Sequence, residues 1–202
     1  MNNHWKQVAL SEICSVSAGN SAPQDPSYFT EGTIPFFRTS DAGKVRFGTI
    51  YESQDKLNSH GANKLRRYPT GTILFPKSGA STFLNHRVVL GVEGCVSSHL
   101  ATIVPDLSLV LPQFLLYALT LIDAKDLIQD QSYPSLNLRA IEKIRIQLPP
   151  LVEQQRIVRM LDEAFEGIAK AKANAEKKLE ALDELKNSLL HRAFSGNLEP
   201  GA

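Results

Sequence analysis

The side chains with the most chemical potential are cations and small polar groups crowded into one stretch. Residues 36–92 carry nine lysines and arginines (38, 44, 46, 56, 64, 66, 67, 77 and 87) against Asp41, Glu52 and Asp55, a local net of +6 in a chain whose total is +1. Residues 93–138 offset this with a local net of −4. Exposed charges act over only about 8–10 Å in salt, so a basic block cancelled elsewhere in the chain still makes a positive face. Such a face suits a polyanion. Within it, Arg38, Arg46, Lys64, Arg66, Arg67, Lys77 and Arg87 fit phosphate oxygens or the paired acceptors of guanine. Ser78, Ser81, Asn85, Ser97, Ser98 and His99 supply donors and acceptors for bases or phosphates. A solvated, turn-rich surface is the plainer alternative for any one of them.

No catalytic constellation accompanies these groups. His60, His86 and His99 lack the spacing of metal ligands or of a general base with its partners. Cys14 and Cys95 lie far apart with no C-x-x-C pattern and read as inert thiols. Phe75-Pro76-Lys77-Ser78-Gly79 misses the spacing of a phosphate-binding loop, and Gly79-Ala80-Ser81-Thr82 is not a nucleophile elbow. Pro105-Asp106, followed only by Glu142-Lys143, does not make a nuclease core. Leu148-Pro149-Pro150-Leu151 has the outline of an amino-methyltransferase motif, but its leucines can neither hydrogen-bond nor stack on a flipped base. The expectation is a non-enzymatic chain with no cofactor or metal of its own.

The elements that must position the polar groups alternate quickly. Trp5, Val8 and Leu10 suggest a first strand, and residues 17–33 a long polar loop. Ile34–Arg38 is expected as a strand closed by a polar turn at 39–43, with residues 53–68 as loop or short amphipathic helix. Further strands are expected at Gly71–Pro76, Arg87–Leu90 and Leu100–Val104, each bounded by Gly or Pro. A mostly buried helix follows Pro112, then a helical turn from Ser135 to Ile141 and a last strand at Ile144–Leu148. The sum is a mixed α/β (α+β) domain over residues 1–148.

Residues 149–202 differ. Pro149-Pro150 biases Leu148 and Pro149 away from helix, so a helix is expected to start near Pro150 or Leu151; Glu153 suits its first turn, and Gly196 can take the left-handed cap. Between them Leu161, Ala164, Ile168, Ala171, Ala175, Leu182, Leu185 and Leu189 fall at alternating spacings of three and four, interrupted at Lys178. About 45 residues of helix span roughly 65 Å. A lone helix this long and polar is only marginally stable, so the pattern predicts a coiled coil with a second helix. No segment nears the roughly 20 apolar residues of a membrane span, and the first residues do not resemble a signal peptide. A cytoplasmic protein without membrane contact is expected.

Two groups of motifs then point to a family. Pro149-Pro150-Leu151, Glu153-Gln154, Ile157-Val158 and Leu161-Asp162, followed by Leu182, Leu185-Lys186, Ser188-Leu189-Leu190, Ala193-Phe194-Ser195-Gly196 and Leu198, resemble the helical region of type I restriction-modification specificity subunits. Upstream, Trp5-Lys6, Val8, Leu10, Ile34-Pro35, Arg38, Asp41, Gly71, Ile73-Leu74, Lys77-Ser78-Gly79 and Tyr133-Pro134-Ser135-Leu136-Asn137 resemble phrases of their target recognition domains.

The resemblance implies a DNA-recognition subunit that binds double-stranded DNA and works with a methylation subunit and a restriction subunit. S-adenosylmethionine, ATP and Mg are then expected on those partners. It also implies that outward helix residues such as Arg156, Arg159, Glu163, Glu166 and Lys170 face the methylation subunit, with solvated flanks as an equal reading. Family members usually hold two recognition domains and two antiparallel helices in one chain. One of each stands here, so the chain resembles a half-subunit, naturally short or a fragment. A homodimer reading a bipartite palindromic site is the simplest completion. The competing expectation is a non-DNA interaction protein carried on a coiled-coil stalk.

Overall fold

The computed structural model describes residues 5–128 and 135–196. Tyr133-Pro134 and Leu198 of the motifs above, and Asp130 of the acidic segment, lie outside them. The chain divides into two compact units, Met1–Arg156 and Ile157–Ala202.

Among the described residues, the first unit is built on three sheets. β1 (Lys6–Ala9) pairs antiparallel with β11 (Arg145–Leu148), so the unit's beginning and end close on each other. A five-stranded sheet has the order β2-β10-β7-β8-β4, from Cys14–Ala18, Leu100–Pro105, Ile73–Pro76, Arg87–Leu90 and Phe47–Ile50. A four-stranded sheet has the order β5-β3-β9-β6, from Asp55–Leu57, Ile34–Phe37, Gly94–Val96 and Arg67–Tyr68. The short α-helices described in this unit are α1 (Leu10–Ile13), α2 (Thr39–Val45), α3 (Ser59–Ala62), α4 (Pro112–Thr120) and α5 (Leu138–Glu142). Among the described residues no helix is long and apolar enough to cross a membrane. The mixed α/β expectation therefore holds.

The two larger sheets share a core because successive strand residues point to opposite faces. Phe37, Tyr68 and Val96 of the four-stranded sheet pack with Ile50, Leu74, Val88, Leu90 and Leu100 of the five-stranded one. Their neighbours Phe36 and Cys95 turn the other way, into a second cluster with Leu57 and Ala62 flanked by Tyr28, Phe29 and Leu65. On the far face of the five-stranded sheet, α4 buries Phe114, Leu115, Leu116 and Leu119.

Three local expectations are corrected. Residues 39–43 are not a turn but the start of α2, because the Asp41 carboxylate accepts the Arg38 and Gln54 backbone N–H groups at 2.9 and 3.0 Å and satisfies orphan donors. The polar stretch from residue 17 still completes β2 through Ala18, whose partners are on β10. Residues 53–68 hold two short strands, β5 and β6, around α3.

The last helix, α6 (Leu151–Phe194), has its first turns in the first unit. The anchor there is Gln154, fully buried. Its side-chain oxygen accepts the Leu111 N–H at 2.9 Å, and its nitrogen donates to the carbonyls of Leu109 (3.0 Å) and Pro149 (2.9 Å). One glutamine thus satisfies the loop before α4 and the Pro149-Pro150 corner together, which is how a buried amide avoids its desolvation cost.

Candidate nucleic-acid interface

Strand direction explains why scattered polar residues meet. β2 and β7 end where β10 begins, with Ala18 opposite Ala101 and Pro76 opposite Leu100. β8 runs back from that edge beside β7, and β4 is parallel to β8 with Phe47 opposite Arg87. In the four-stranded sheet, β3 and β9 end together at Phe37 and Val96, while β6 begins there with Arg67 opposite Cys95. Residues 97–99 join the two edges. Ser97 N–H donates to the Phe37 carbonyl at 2.9 Å, Lys77 N–H donates to the His99 carbonyl at 3.0 Å, and Ser97 bridges Asn20. One edge therefore gathers Asn20, Arg38, Arg46, Arg66, Arg67, Lys77, Ser78, Ser97, Ser98 and His99.

The members are held in different ways. Ser78 Oγ and His99 Nδ1 are 2.8 Å apart, and Ser81 Oγ donates to the Ser78 carbonyl at 3.1 Å, so these three form one hydrogen-bonded group. His99 is exposed, and Ser98 and Lys77 are half-buried. The Arg38 guanidinium pairs with Asp55 and lies over the Phe36 ring. Arg67 reaches Glu93 at 3.5 Å and Asn63 at 3.4 Å. The Lys64 ammonium meets the Tyr28 hydroxyl and sits 4.5 Å from that ring's centre. Arg46 is exposed and closes α2 with φ +64°, its carbonyl accepting the Arg87 N–H at 3.0 Å.

Arg87 overturns its expectation as a DNA contact. It is wholly buried, its guanidinium carbon 3.3 Å from the centre of the Phe75 ring. Nη1 donates to the His86 carbonyl at 2.8 Å and Nη2 to Asn85 Oδ1 at 3.4 Å. Burial pushes its pKa down to about 9, and Asp123 acts in the opposite sense. The residue is a core cation that props the sheet. Ser97, 3% exposed, is likewise interior, and Asn85 is engaged by Asp123 and the Ala124 N–H at 2.9 and 2.8 Å. Next to them, burial lowers the pKa of His86, with Arg46 and Arg87 adding to the effect, so this imidazole favours its neutral form.

Asn20 is the residue that sequence reading missed. Its side chain donates to the Arg66 carbonyl at 3.0 Å and accepts the Arg66 N–H at 3.1 Å. Its own backbone bonds Val96 and Ser98 at 2.6 and 2.7 Å. The only signal in the sequence was an asparagine following a glycine in a polar loop.

Among the described residues no cluster of three or more His, Cys, Asp or Glu could hold a metal ion. Burial raises both thiols, Cys14 to about 12, so neither is a ready nucleophile at neutral pH.

In the second unit the spacing of the stripe is realised as continuous helix. Of its eight residues, Leu161 is half-buried, whereas Ala164, Ile168, Ala171, Ala175, Leu182, Leu185 and Leu189 are exposed. Ile168, Leu182, Leu185 and Leu189 leave between 47% and 62% of their surface open. Glu166 pairs with Lys170 at 2.6 Å along the same helix.

The sequence matches the type I restriction modification DNA specificity domain over residues 2–181. Three solved structures are similar. One is a chain described under "Structural basis underlying complex assembly and conformational transition of the type I R-M system", at 24% identity and TM-score 0.79, covering 98% of this chain and 47% of that one. The HsdS subunit from Thermoanaerobacter tengcongensis matches at 27% identity and TM-score 0.69, covering 98% and 46%. The type I restriction-modification S subunit from M. genitalium matches at 19% identity and TM-score 0.56, covering 92% and 44%. This chain thus spans just under half the length of each. Its fold and the length of the family match agree, and the chain belongs to the type I restriction-modification DNA specificity domain family.

Proposed function

We propose that the chain is a non-catalytic DNA-recognition element of a cytoplasmic type I restriction-modification complex, reading double-stranded DNA with the shared sheet edge. The observation that supports this most is the convergence of Arg38, Arg46, Arg66, Arg67, Lys77, Ser78, Ser98 and His99, from both sheets, on one edge. Ser81 is bonded to the Ser78 carbonyl there, and Lys64 is engaged by the Tyr28 hydroxyl. Cations there fix register on phosphates, and the small polar groups between them read base edges. S-adenosylmethionine, ATP and Mg then belong to the methylation and restriction subunits that this chain directs. The exposed leucine stripe of α6 takes a second helix, and a second copy supplies it with least machinery. A twofold pair sets the two α6 helices antiparallel and gives a bipartite palindromic site whose unread spacer follows helix length. The residues expected at a coiled-coil interface (Leu161, Ala164, Ile168, Ala171, Ala175, Leu182, Leu185 and Leu189) then face the partner helix.

A DNA-binding titration at several salt concentrations, with and without the methylation subunit, tests the reading. Replacing Lys64, Arg66, Arg67 and Lys77 together by Ala is expected to flatten the salt dependence by about one unit of slope per phosphate contact removed. Unchanged affinity in that variant, or no salt-dependent binding by the natural chain, would leave the interaction-protein reading in its place.

A further inference from the structure

Arg66 is held by uncharged groups at both its head and its backbone. Arg38 and Arg67 face carboxylates, Lys64 is covered by Tyr28, and Arg87 is buried. Arg66 is exposed, and its partners carry no charge. Its Nη1 donates to Ser17 Oγ at 3.3 Å, and its guanidinium lies 5.1 Å from the centre of the Tyr68 ring. Ser17 is itself fixed by Thr102 at 2.8 Å, and Tyr68 by a 2.8 Å bond from its hydroxyl to the Ala18 carbonyl. The backbone of Arg66 is clasped on both sides by the Asn20 side chain.

Residues 17–20 therefore act as a strap. Ser17 and Ala18 hold the arginine's head and the ring beneath it, and Asn20 holds its backbone and the Ser98 N–H. Gly19 lets the strap pass, because a side chain there would overlap the Ser97 carbonyl. A guanidinium fixed at one nitrogen and one face loses little freedom on binding. Its full charge and its Nε–Nη2 side remain for a planar pair of acceptors. In DNA that pair is guanine O6 and N7.

We propose that Arg66 is a specificity-determining residue that reads one guanine, and that Asn20 is its positioning residue, locking it in register with Ser98 and His99. The proposal rests on the DNA-reading function above. Selection from a random-sequence library, followed by salt titrations on the selected and on random DNA, tests it with the full chain. Arg66→Lys keeps the charge, so the salt slope should stay while preference for one G·C pair falls roughly 10- to 100-fold. Asn20→Ala should relax that same base pair more than it lowers affinity for random DNA, with the salt slope kept because no cation is removed. Lys77→Ala serves as the contrast, lowering the slope by about one for every sequence. An unaltered selected motif with Arg66→Lys would overturn the proposal, as would an Asn20→Ala loss spread equally over all sequences. Failure of the natural chain to bind DNA in a salt-dependent way would instead sink the function itself and this assignment with it.

Discussion

The sheet edge and the long helix handle their side chains in opposite ways. The globular unit encloses an apolar core, and the polar groups at the edge are cross-linked by neighbours distant in sequence, as Asn20 is to Arg66 and Ser78 to His99. In the helical unit, from Ile157 onward, no described residue is buried, and the ion pairs are local, such as Glu166 with Lys170. The first unit thus has a core of its own. The second has secondary structure without a core. Gly167 inside it costs about 1 kcal/mol relative to Ala and makes an isolated helix less stable still. The contrast assigns stability to one unit and, on the proposed function, association to the other.

The largest expected effect follows from the stripe. Each leucine fully buried at an interface contributes about 1.5–3 kcal/mol, and in a twofold pair each position counts twice. Leu182→Asp, Leu185→Asp and Leu189→Asp combined should convert a dimer to monomer at micromolar concentration and lower the helical signal in circular dichroism. The melting of the globular unit should not move. Light scattering that gives the natural chain and the triple variant the same mass would break the comparison between the units.

A second test separates two arginines that look alike in sequence. Arg87→Ala removes a buried cation stacked on Phe75 and opens a cavity, a loss of about 3–5 kcal/mol by the usual cost of truncating large buried groups. Arg66→Ala, at an exposed site, should change stability by no more than about 0.5 kcal/mol. Thermal or urea melts read both. Equal losses for the two would show that the edge is as structural as the core, and the division between reading and propping groups would go.

Those two arginines also show what was legible in the sequence. Periodicity is a local property, so the strands at 34–37, 73–76, 87–90 and 100–105, α4 and α6 could be anticipated from it. The shared edge could not, because it depends on β3 and β9 running parallel and on β2, β7 and β10 alternating in direction. Nor could the burial of Arg87. A strand beginning Arg-Val-Val-Leu reads equally well with its cation in solvent, and only the Phe75 ring across the pair places it inside. The short strand β9 escaped for a related reason: three residues are too few for a pattern. Asn20 was hidden because its four hydrogen bonds all join residues more than 40 positions away.

The smallest expected effect concerns the loop next to Arg87. Asp123 is held below its ordinary carboxyl pKa of 3.8, first by a hydrogen bond donated by the Asn85 amide and then by the Lys125 backbone N–H. Asn85 sits at φ +52° and its oxygen accepts the Ala124 N–H, so the pair ties residues 123–124 to the start of β8. A carboxyl whose folded pKa is depressed adds stability that is complete above its unfolded value and is lost as pH falls through the folded one. The contribution is thus present at neutral pH and fades below about pH 3.8. Asp123→Asn should lower the melting midpoint slightly at neutral pH and give a shallower decline in acid, the two curves approaching each other as the natural carboxyl is protonated. Asp25 and Asp106, whose carboxyls are lowered by bonds from Ser27 and Ser108, titrate in both proteins and cancel in the difference. Parallel curves would mean that Asp123 does not prefer its charge when folded. The props around Arg87 would then be the buried stack and the Asn85 contacts alone, with the acidic loop contributing nothing to the rigidity of the sheet edge.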